Sequence, residues 1–375
     1  MNFDTAAFAA TIAAGGSPIL WGDPGIGKTS FVQSWARQMG AHLEIVIGST
    51  MMPEDITGIP HANPLTGVAA KLPADWAVAA RQRLDDGQKV VVFFDELTTV
   101  NEHVQKALLT VWTSREVAGV DLSDAIWVAA ANPTSSLLAS GRLLPTTANR
   151  FVHFDFVFDL DRWVEGIVAS DWTAGNRVPS VDTDTARRGA AAAHIAAFVK
   201  SYRPDLANAM PETADAAGRA WPSPRSWHGL AEALAWLPAY GTSDEVNASW
   251  RALARGYVGD VAGETFVGYV ASQDLLSGAE IAQRVTSDPD GIDWASMPAD
   301  RRWPQVMAFA AYVLAGDGNA VDRYEASGVV VEAMTRQGQG AMAAWLAKTT
   351  WVSHPAEVVS IPSGYVAATS LFAGR

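Results

Sequence analysis

The sequence contains no cysteine among its 375 residues, which excludes disulfides and thiolate metal sites. No apolar run approaches the roughly 18–20 residues that a helix needs to cross a bilayer, so we expect no membrane partner. Residues 1–16 lack the lysine or arginine that begins a signal peptide, and their alanines predict a helix. A hydrophobic content of 49% fits a soluble globular protein of two or three domains.

Positive charge is also scarce. Lys and Arg together number 27 against 40 Asp and Glu, which gives a formal net charge of −13. Because nucleic-acid binding needs clustered Lys and Arg, this composition disfavours a nucleic-acid partner. A ring pore that is basic only locally remains an alternative. The histidines show no paired metal-site spacing, and we interpret them as structural or surface residues: His42, His61, His103, His153, His194, His228 and His354.

A glycine-rich segment from Gly22 to Thr29 matches the pattern G-x-x-x-x-G-K-[ST] of phosphate-binding loops. Glycines let the backbone wrap around phosphates, and the loop N–H groups with the following helix N-terminus attract anions. Lys28 is expected to reach the β- and γ-phosphates of ATP, and the Thr29 hydroxyl to ligate Mg²⁺. The predicted ATP-binding residues are Gly22, Asp23, Pro24, Gly25, Ile26, Gly27, Lys28, Thr29 and Ser30, with Asp95.

Short apolar runs alternate with helical patterns up to about residue 157, which is typical of a parallel α/β sheet. A helix is predicted over residues 29–40, directly after the loop. From about residue 159 the strand signals fade and Ala-rich helical patterns follow, at 186–202 and 226–237. Strands are predicted over residues 17–21, 42–48, 90–94, 126–131 and 151–156.

Polar residues follow two of these strands. The run 90–94 has no polar interruption, as expected for a central strand covered on both faces, and it ends in Asp95 and Glu96. We predict that Asp95 holds Mg²⁺ and that Glu96 polarises the water that attacks the γ-phosphate. Asn132 follows the next strand and is predicted to orient that water, although an Asn-Pro pair is also a strong turn signal.

Arginines complete the set of candidate catalytic residues, which comprises Glu96, Asn132, Arg150 and Arg225. Arg150 precedes the last strand and is predicted to stabilise charge on a phosphoryl group bound to a neighbouring subunit. Arg142 is a rival for the same role. Arg225 opens a helical pattern after a Ser-Pro pair, where it is expected to contact phosphate and distinguish ATP from ADP. Either could instead be a solvated surface arginine.

These motifs, in this order, resemble a AAA+ ATPase, and finer features resemble its MoxR-like branch, also called dynein-related. Residues 53–58 resemble the E-D-L-x-G segment of that branch, and residues 101–109 with 115–117 resemble its helix and E-R-x-V turn before sensor 1. Residues 144–151 resemble its L-P-x-A-x-x-D-R-F segment. Asn149 stands there where Asp is usual, so the sequence leaves undecided whether Arg150 has a charge partner.

The resemblance implies an α/β P-loop NTPase core over residues 1–157, an α-helical lid with sensor 2 over 158–240, and a mainly α-helical C-terminal region over 241–375. It also implies a hexameric ring with sites between subunits. An insert at 58–73 is expected either to face the pore or to form a surface loop. By this resemblance Lys28 and Thr29 take the Walker A role, and Asp95 and Glu96 take the Walker B role. Asn132 takes the role of sensor 1, Arg150 that of the arginine finger and Arg225 that of sensor 2.

Three functions fit these motifs. The first is a chaperone-like ATPase that remodels, assembles or activates a protein partner. One such partner is a von Willebrand factor A protein; because its D-x-S-x-S segment is not found in this sequence, that module would lie on a separate chain. The second is a DNA-directed motor or clamp-loader-like ATPase, against which the net charge counts. The third is a regulatory switch that hydrolyses ATP slowly. With a nucleotide loop present, we expect a cytoplasmic protein.

Overall fold

The structure is a computed structural model that describes residues 3–62, 65, 67–133, 141–169, 177–183, 185–273, 276–314, 319–352, 354 and 356–369. The chain divides into two compact units. Unit 1 comprises residues 1–181, 208–233 and 247–264, and unit 2 comprises residues 182–207, 234–246 and 265–375. The domain boundaries that the sequence suggests, at residues 157 and 240, stay a prediction.

A five-stranded parallel sheet forms the centre of unit 1. Its strands stand in the order β2-β5-β8-β1-β9, so β1 lies between two parallel neighbours. Two antiparallel pairs, β3 with β4 and β6 with β7, lie outside this sheet. The strands are β1 (Pro18–Trp21), β2 (His42–Ile47), β3 (Ile59–Ala62), β4 (Ala69–Leu72), β5 (Val90–Asp95), β6 (Glu116–Val117), β7 (Val120–Asp121), β8 (Ile126–Ala131) and β9 (Val152–Asp155).

Helices flank this sheet within unit 1 and make up most of the described part of unit 2. Asp4 caps α1 by accepting the Ala7 N–H, and Asn101 caps α5 by accepting the Val104 N–H. In the described residues the helices are α1 (Thr5–Ala13), α2 (Lys28–Gln38), α3 (Pro53–Thr57), α4 (Asp75–Asp85), α5 (Glu102–Ser114), α6 (Pro145–Ala148), α7 (Leu160–Ala169), α8 (Thr185–Ala197), α9 (Ala214–Ala217), α10 (Pro224–Leu234), α11 (Asp244–Val258), α12 (Asp260–Ser272), α13 (Gly278–Ser287), α14 (Ala299–Leu314), α15 (Ala320–Arg336), α16 (Gly340–Val352) and α17 (Ser363–Thr369).

Burial on both faces explains why the sheet forms from uninterrupted apolar runs. The first five residues of β5 are 0–1% exposed, as expected for a strand covered by helices on each side. Phe94 stacks on Trp127 of β8 and also contacts Trp112 of α5. Phe31 of α2 packs edge-on against Phe8 of α1. The parallel α/β core and the helical remainder predicted from the sequence are therefore confirmed.

The segment after β2 contains a hairpin inside the predicted insert. β3 and β4 pair antiparallel, with Ile59 opposite Leu72. Gly58 enters the hairpin at φ +83°, a backbone conformation that only glycine adopts without strain. Residues 63, 64 and 66 of the insert, and residue 140 beside the rival Arg142, lie outside the described residues.

Unit 2 is helical throughout its described residues. α8 continues into a π-helical turn at Phe198–Tyr202 and a 3₁₀ turn at Pro204–Ala207. The core includes Trp294, Phe309 and Tyr324, each 0–1% exposed. None of the described helices has the length and hydropathy to cross a membrane.

Candidate nucleotide-binding site

The phosphate loop leaves the carboxyl end of β1 and leads into α2, at the edge where parallel α/β sheets bind ligands. Gly25 and Gly27 have φ of +80° and +99°, so the loop turns through conformations that favour glycine. Gly22 is confined, because a Cβ there would lie 2.5 Å from the Ile26 Cδ1 atom and from the Phe156 carbonyl oxygen. The sequence folds here as a tight backbone cradle whose N–H groups can meet an anion.

Lys28 lies inside this cradle with 7% of its surface exposed. Its Nζ donates to the Gly22 carbonyl at 2.6 Å, to the Asp23 carbonyl at 3.0 Å and to the Asn132 Oδ1 at 2.9 Å. Desolvation lowers the pKa of Lys28, while nearby carboxylates, of which Asp95 contributes most, oppose that shift. The structure thus places the ammonium at the loop, against the residue predicted to serve as sensor 1.

Thr29 and Asp95 meet beside the lysine. The Thr29 hydroxyl donates to the Asp95 Oδ2 at 2.6 Å. Mg²⁺ prefers oxygen ligands and is commonly held by one or two protein groups together with substrate phosphates, so this hydroxyl and carboxylate fit Mg²⁺ in an ATP complex. Among the described residues, no group of three or more His, Cys, Asp or Glu could hold a metal ion.

Glu96 is held in a conformation that is uncommon outside glycine. Its φ is +55°, and the strained turn is fixed from both sides. Its N–H donates to the Asp95 Oδ1 at 2.8 Å, and its carbonyl accepts from the Thr99 N–H at 2.9 Å and the Thr99 hydroxyl at 2.7 Å. The half-buried carboxylate can act as a base on a water beside the phosphates.

Asn132 extends from the carboxyl end of β8 and is 8% exposed. Its backbone is held on both sides by Thr98. The Asn132 N–H donates to the Thr98 hydroxyl, and that hydroxyl donates to the Asn132 carbonyl, both at 3.2 Å. Thr98 was not predicted from the sequence, since a threonine in a loop carries no pattern of its own. The pair orients the amide toward Lys28.

Arg150 lies away from the loop, at the amino end of β9. Its Nε donates to the Thr113 hydroxyl at 3.0 Å, and its Nη1 donates to the Thr146 carbonyl at 2.6 Å. Pro18 pairs with Val152 at this end of the sheet, and a strand rises about 3.3 Å per residue. The four residues of β1 therefore separate Arg150 from its own phosphate loop by roughly 10 Å or more.

Arg225 lies beside Arg150 rather than beside the loop. Desolvation and, secondly, the charge of Arg225 lower the pKa of Arg150. Asn149 explains the placement, because its amide donates to the Trp221 carbonyl at 3.0 Å and accepts from the Ser223 hydroxyl at 2.7 Å. The residue that replaces the usual Asp thus ties the start of α10 to β9. Within the described residues no carboxylate pairs with Arg150.

The rival Arg142 is engaged elsewhere. Its side chain is exposed and pairs with Asp215 at 3.1 Å. The structure therefore brings together Lys28, Thr29, Asp95 and Asn132 at the loop, with Glu96 next to Asp95 in the chain. It places Arg150 and Arg225 together at the amino ends of the strands, opposite the loop. The catalytic roles of all these residues stay predictions.

Another set of contacts at the loop was not predicted. Trp21, the last residue of β1, donates its indole N–H to the His153 Nδ1 at 2.8 Å, and the Arg219 guanidinium carbon lies 4.4 Å from the Trp21 ring centroid. His153 is 7% exposed, which agrees with its interpretation as a structural residue. The position of a tryptophan directly before a phosphate loop was the one sequence feature that could have indicated these contacts. Arg219 is distant in sequence, and no local pattern pointed to it.

Comparison with known proteins bears on the core. Residues 17–151 match the model of the AAA domain (dynein-related subfamily). No curated protein matches the chain. One similar solved structure is a Cytophaga hutchinsonii protein provisionally named an ATPase; it is 16% identical over 69% of this chain and 78% of that chain, with a TM-score of 0.39, too low to bear on function. The family match and the loop geometry together support a AAA+ ATPase, with its AAA domain in residues 17–151.

Proposed function

We propose that the chain binds ATP with Mg²⁺ at the loop and hydrolyses it between the subunits of a ring, as in the MoxR-like branch. The observation that carries this proposal is the convergence of Lys28, Thr29, Asp95 and Asn132 at one edge of the sheet. Lys28 would bind the β- and γ-phosphates, and Mg²⁺, held by Thr29 and Asp95, would neutralise charge on the phosphates.

Hydrolysis itself falls to the neighbouring polar groups. Glu96 takes a proton from water, and Asn132 orients that water at the phosphate edge. Fixed hydrogen bonds hold both residues, through Thr99 and Thr98 respectively. Such preorganised groups stabilise developing charge without reorganising during the reaction.

Arg150 and Arg225 act on the nucleotide of an adjacent subunit. Both lie at the amino end of the sheet, away from their own phosphate loop, and the described residues offer Arg150 no carboxylate. Two neighbouring cations for which the described part of the chain supplies no ion-pair partner suit the phosphates of an adjacent ATP. This placement supports a role for Arg225 at the neighbour's nucleotide rather than at its own.

Exposed apolar surfaces support self-association into a hexamer. β2 is an edge strand of the sheet and exposes Ile45 and Ile47 by 36% and 46%. α7 follows the opposite edge strand, β9, and exposes an apolar stripe at helical spacing. Surfaces on opposite edges suit a head-to-tail contact, which closes into a ring. The stripe comprises Leu160, Trp163, Val164, Ile167 and Val168, which are 45–79% exposed.

The partner that the ring acts on is a protein, in the cytoplasm. The net charge of −13 disfavours phosphate-rich partners. The β3–β4 hairpin presents exposed apolar side chains, with Ile59 at 56% and Leu72 at 50%, a surface suited to grip a polypeptide. A separate von Willebrand factor A protein is one such partner. Stimulation of ATP turnover by DNA would instead support a DNA-directed motor, and slow turnover with nucleotide-dependent complex formation would support a switch.

ATP binding and phosphate release, measured on matched variants, test the site. Lys28→Ala is expected to weaken ATP binding at least about tenfold, because the loop loses its phosphate cation. Glu96→Gln should bind ATP about as tightly as the unaltered chain but turn it over about 10²–10⁴-fold more slowly, because only the base is lost.

The control is Lys106→Ala, which removes an exposed lysine that pairs with Glu102 on the surface of α5. It should leave both measurements unchanged. Normal ATP affinity in Lys28→Ala, or normal turnover in Glu96→Gln, would contradict the assignment of the corresponding residue.

A further inference from the structure

We propose that Arg219 is a positioning residue of the nucleotide site, which fixes the start of the phosphate loop by clamping Trp21. The inference rests on the proposed ATP hydrolysis at the loop. Trp21 directly precedes Gly22, so whatever holds its side chain also sets where the loop begins.

Arg219 contacts Trp21 and the neighbouring strand at the same time. Its guanidinium carbon lies 4.4 Å from the centroid of the Trp21 ring, within the range of a cation–π contact. The same guanidinium pairs with Asp155, the last residue of β9. Since Trp21 and Asp155 are opposite each other in the sheet, Arg219 bridges the carboxyl ends of β1 and β9.

The indole is fixed along its edge as well as on its face. Its N–H donates to the His153 Nδ1 at 2.8 Å, and the two rings lie within 11° of parallel. The His153 Nε2 lies 2.9 Å from the Ala148 carbonyl and donates to it, so Nδ1 is the free acceptor. Trp21 is only 4% exposed, and these contacts hold its ring in one orientation.

The backbone next to Trp21 has little room to adjust. The Trp21 carbonyl accepts from the Phe156 N–H at 2.6 Å, and the Gly22 N–H donates to the Ala131 carbonyl at 3.2 Å. A Cβ at Gly22 would lie 2.5 Å from the Phe156 carbonyl oxygen. A displaced indole therefore shifts Gly22, and with it the loop N–H groups that meet the phosphates.

This role predicts a defect in ATP binding rather than in chemistry. Misaligned loop N–H groups weaken contacts that are made in both the ground state and the transition state, which raises KM and leaves kcat unchanged. Arg219→Ala should raise the Kd and KM for ATP about tenfold, with kcat within about twofold of the unaltered chain. Arg219→Lys keeps the cation over the ring and should stay within about threefold.

The control is Arg251→Ala, because Arg251 is also half-exposed and pairs with a carboxylate of the same unit, Glu264, at 3.0 Å. It should leave Kd and KM unchanged. An Arg219→Ala Kd within about twofold of the unaltered chain, or an equal rise in Arg251→Ala, overturns the proposal.

Two arms keep the test decisive. If Arg219→Ala does not fold, Asp155→Asn releases the guanidinium without changing the arginine, and a rise in Kd of about threefold or more supports the proposal; an unchanged Kd overturns it. Failure of the unaltered chain to bind ATP overturns the proposed function itself, whereas normal binding with an unaffected Arg219→Ala overturns only the role of Arg219.

Discussion

At the scale of single residues, Glu96 carries backbone strain where catalysis is expected. Within the described part of the chain, non-glycine residues with positive φ are Glu96, Arg115 and Ala118. Such a conformation costs on the order of 1–3 kcal/mol and persists where surrounding contacts over-determine it. Asp95 and Thr99 supply those contacts, so the backbone of Glu96 is fixed close enough to the loop for the carboxylate charge to act on Lys28.

Arg150 allows a direct test of catalysis across subunits. Arg150→Ala should lose about 10³-fold or more in turnover, because it no longer stabilises phosphoryl charge on its neighbour. When it is mixed with inactive Glu96→Gln, some interfaces combine an intact Arg150 with an intact Glu96, and phosphate release should recover. Mixtures that stay inactive at every ratio would place Arg150 outside the neighbour's site.

The sequence predicts the loop residues well, because a contiguous motif specifies its own local geometry. Lys28 and Thr29 are fixed by the helix that follows the glycines, and Asp95 by the end of an apolar strand. The neighbours of these residues escape prediction. Arg219 reaches Trp21 from almost two hundred residues away, and the position of Arg225 depends on the hydrogen bonds that Asn149 makes. Neither contact leaves a local pattern.

At the scale of elements, a buried imidazole on β9 is hydrogen-bonded to the last residue of the neighbouring strand β1. Burial lowers the pKa of His153 to about 3 from 6.5, so His153 is neutral in the folded chain at neutral pH. The segment from Arg219 to Arg225 runs along the same strand pair. It begins at Asp155, at the carboxyl end of β9, and reaches Asn149 at the amino end. It therefore links the phosphate loop to Arg150 and Arg225, which we propose act at the site of the next subunit.

His153 predicts a dependence of stability on pH. Its depressed folded-state pKa means that the unfolded chain binds a proton below about pH 6.5 while the folded chain does not until about pH 3. The stabilisation is thus complete above pH 6.5 and is lost as pH falls toward 3. His153→Gln retains a donor and an acceptor but does not titrate, and it should cost about 1–2 kcal/mol at pH 7.5.

Urea unfolding at pH 7.5 and pH 5 measures this effect. The difference in unfolding free energy between the unaltered chain and His153→Gln should shrink by up to about 1.4 kcal/mol per pH unit below 6.5. His228→Gln, at an exposed histidine of α10, is the control and should show no such change. A difference that is the same at both pH values would show that His153 is not neutral and buried.

Elements were predictable where hydrophobic pattern alone specifies them. The strands of the central sheet arise from apolar runs that both faces bury, and each was predicted. The β3–β4 hairpin was not, because its strands are short and mostly exposed, with no alternation to reveal them. α10 ends at Leu234, earlier than the pattern to residue 237 suggested, since residues 235–237 turn before a proline.

At the scale of the whole molecule, the placement of the candidate residues predicts that one chain is an incomplete enzyme. The loop of one copy carries the residues that we propose bind phosphate and Mg²⁺ and activate water, whereas Arg150 lies at the amino ends of the strands. Exposed apolar residues on β2 and α7 suit association between copies. Charge and composition also fit a protein partner better than nucleic acid.

The most direct test of catalysis between subunits is the native mass of Glu96→Gln by light scattering, with ATP and Mg²⁺ and without them. This variant should hold ATP without hydrolysing it and so retain the nucleotide at the interface between copies. We predict a mass of about six chains with ATP and Mg²⁺, and a smaller mass without nucleotide. A single-chain mass under every nucleotide condition, at concentrations where ATP is bound, would contradict catalysis between subunits.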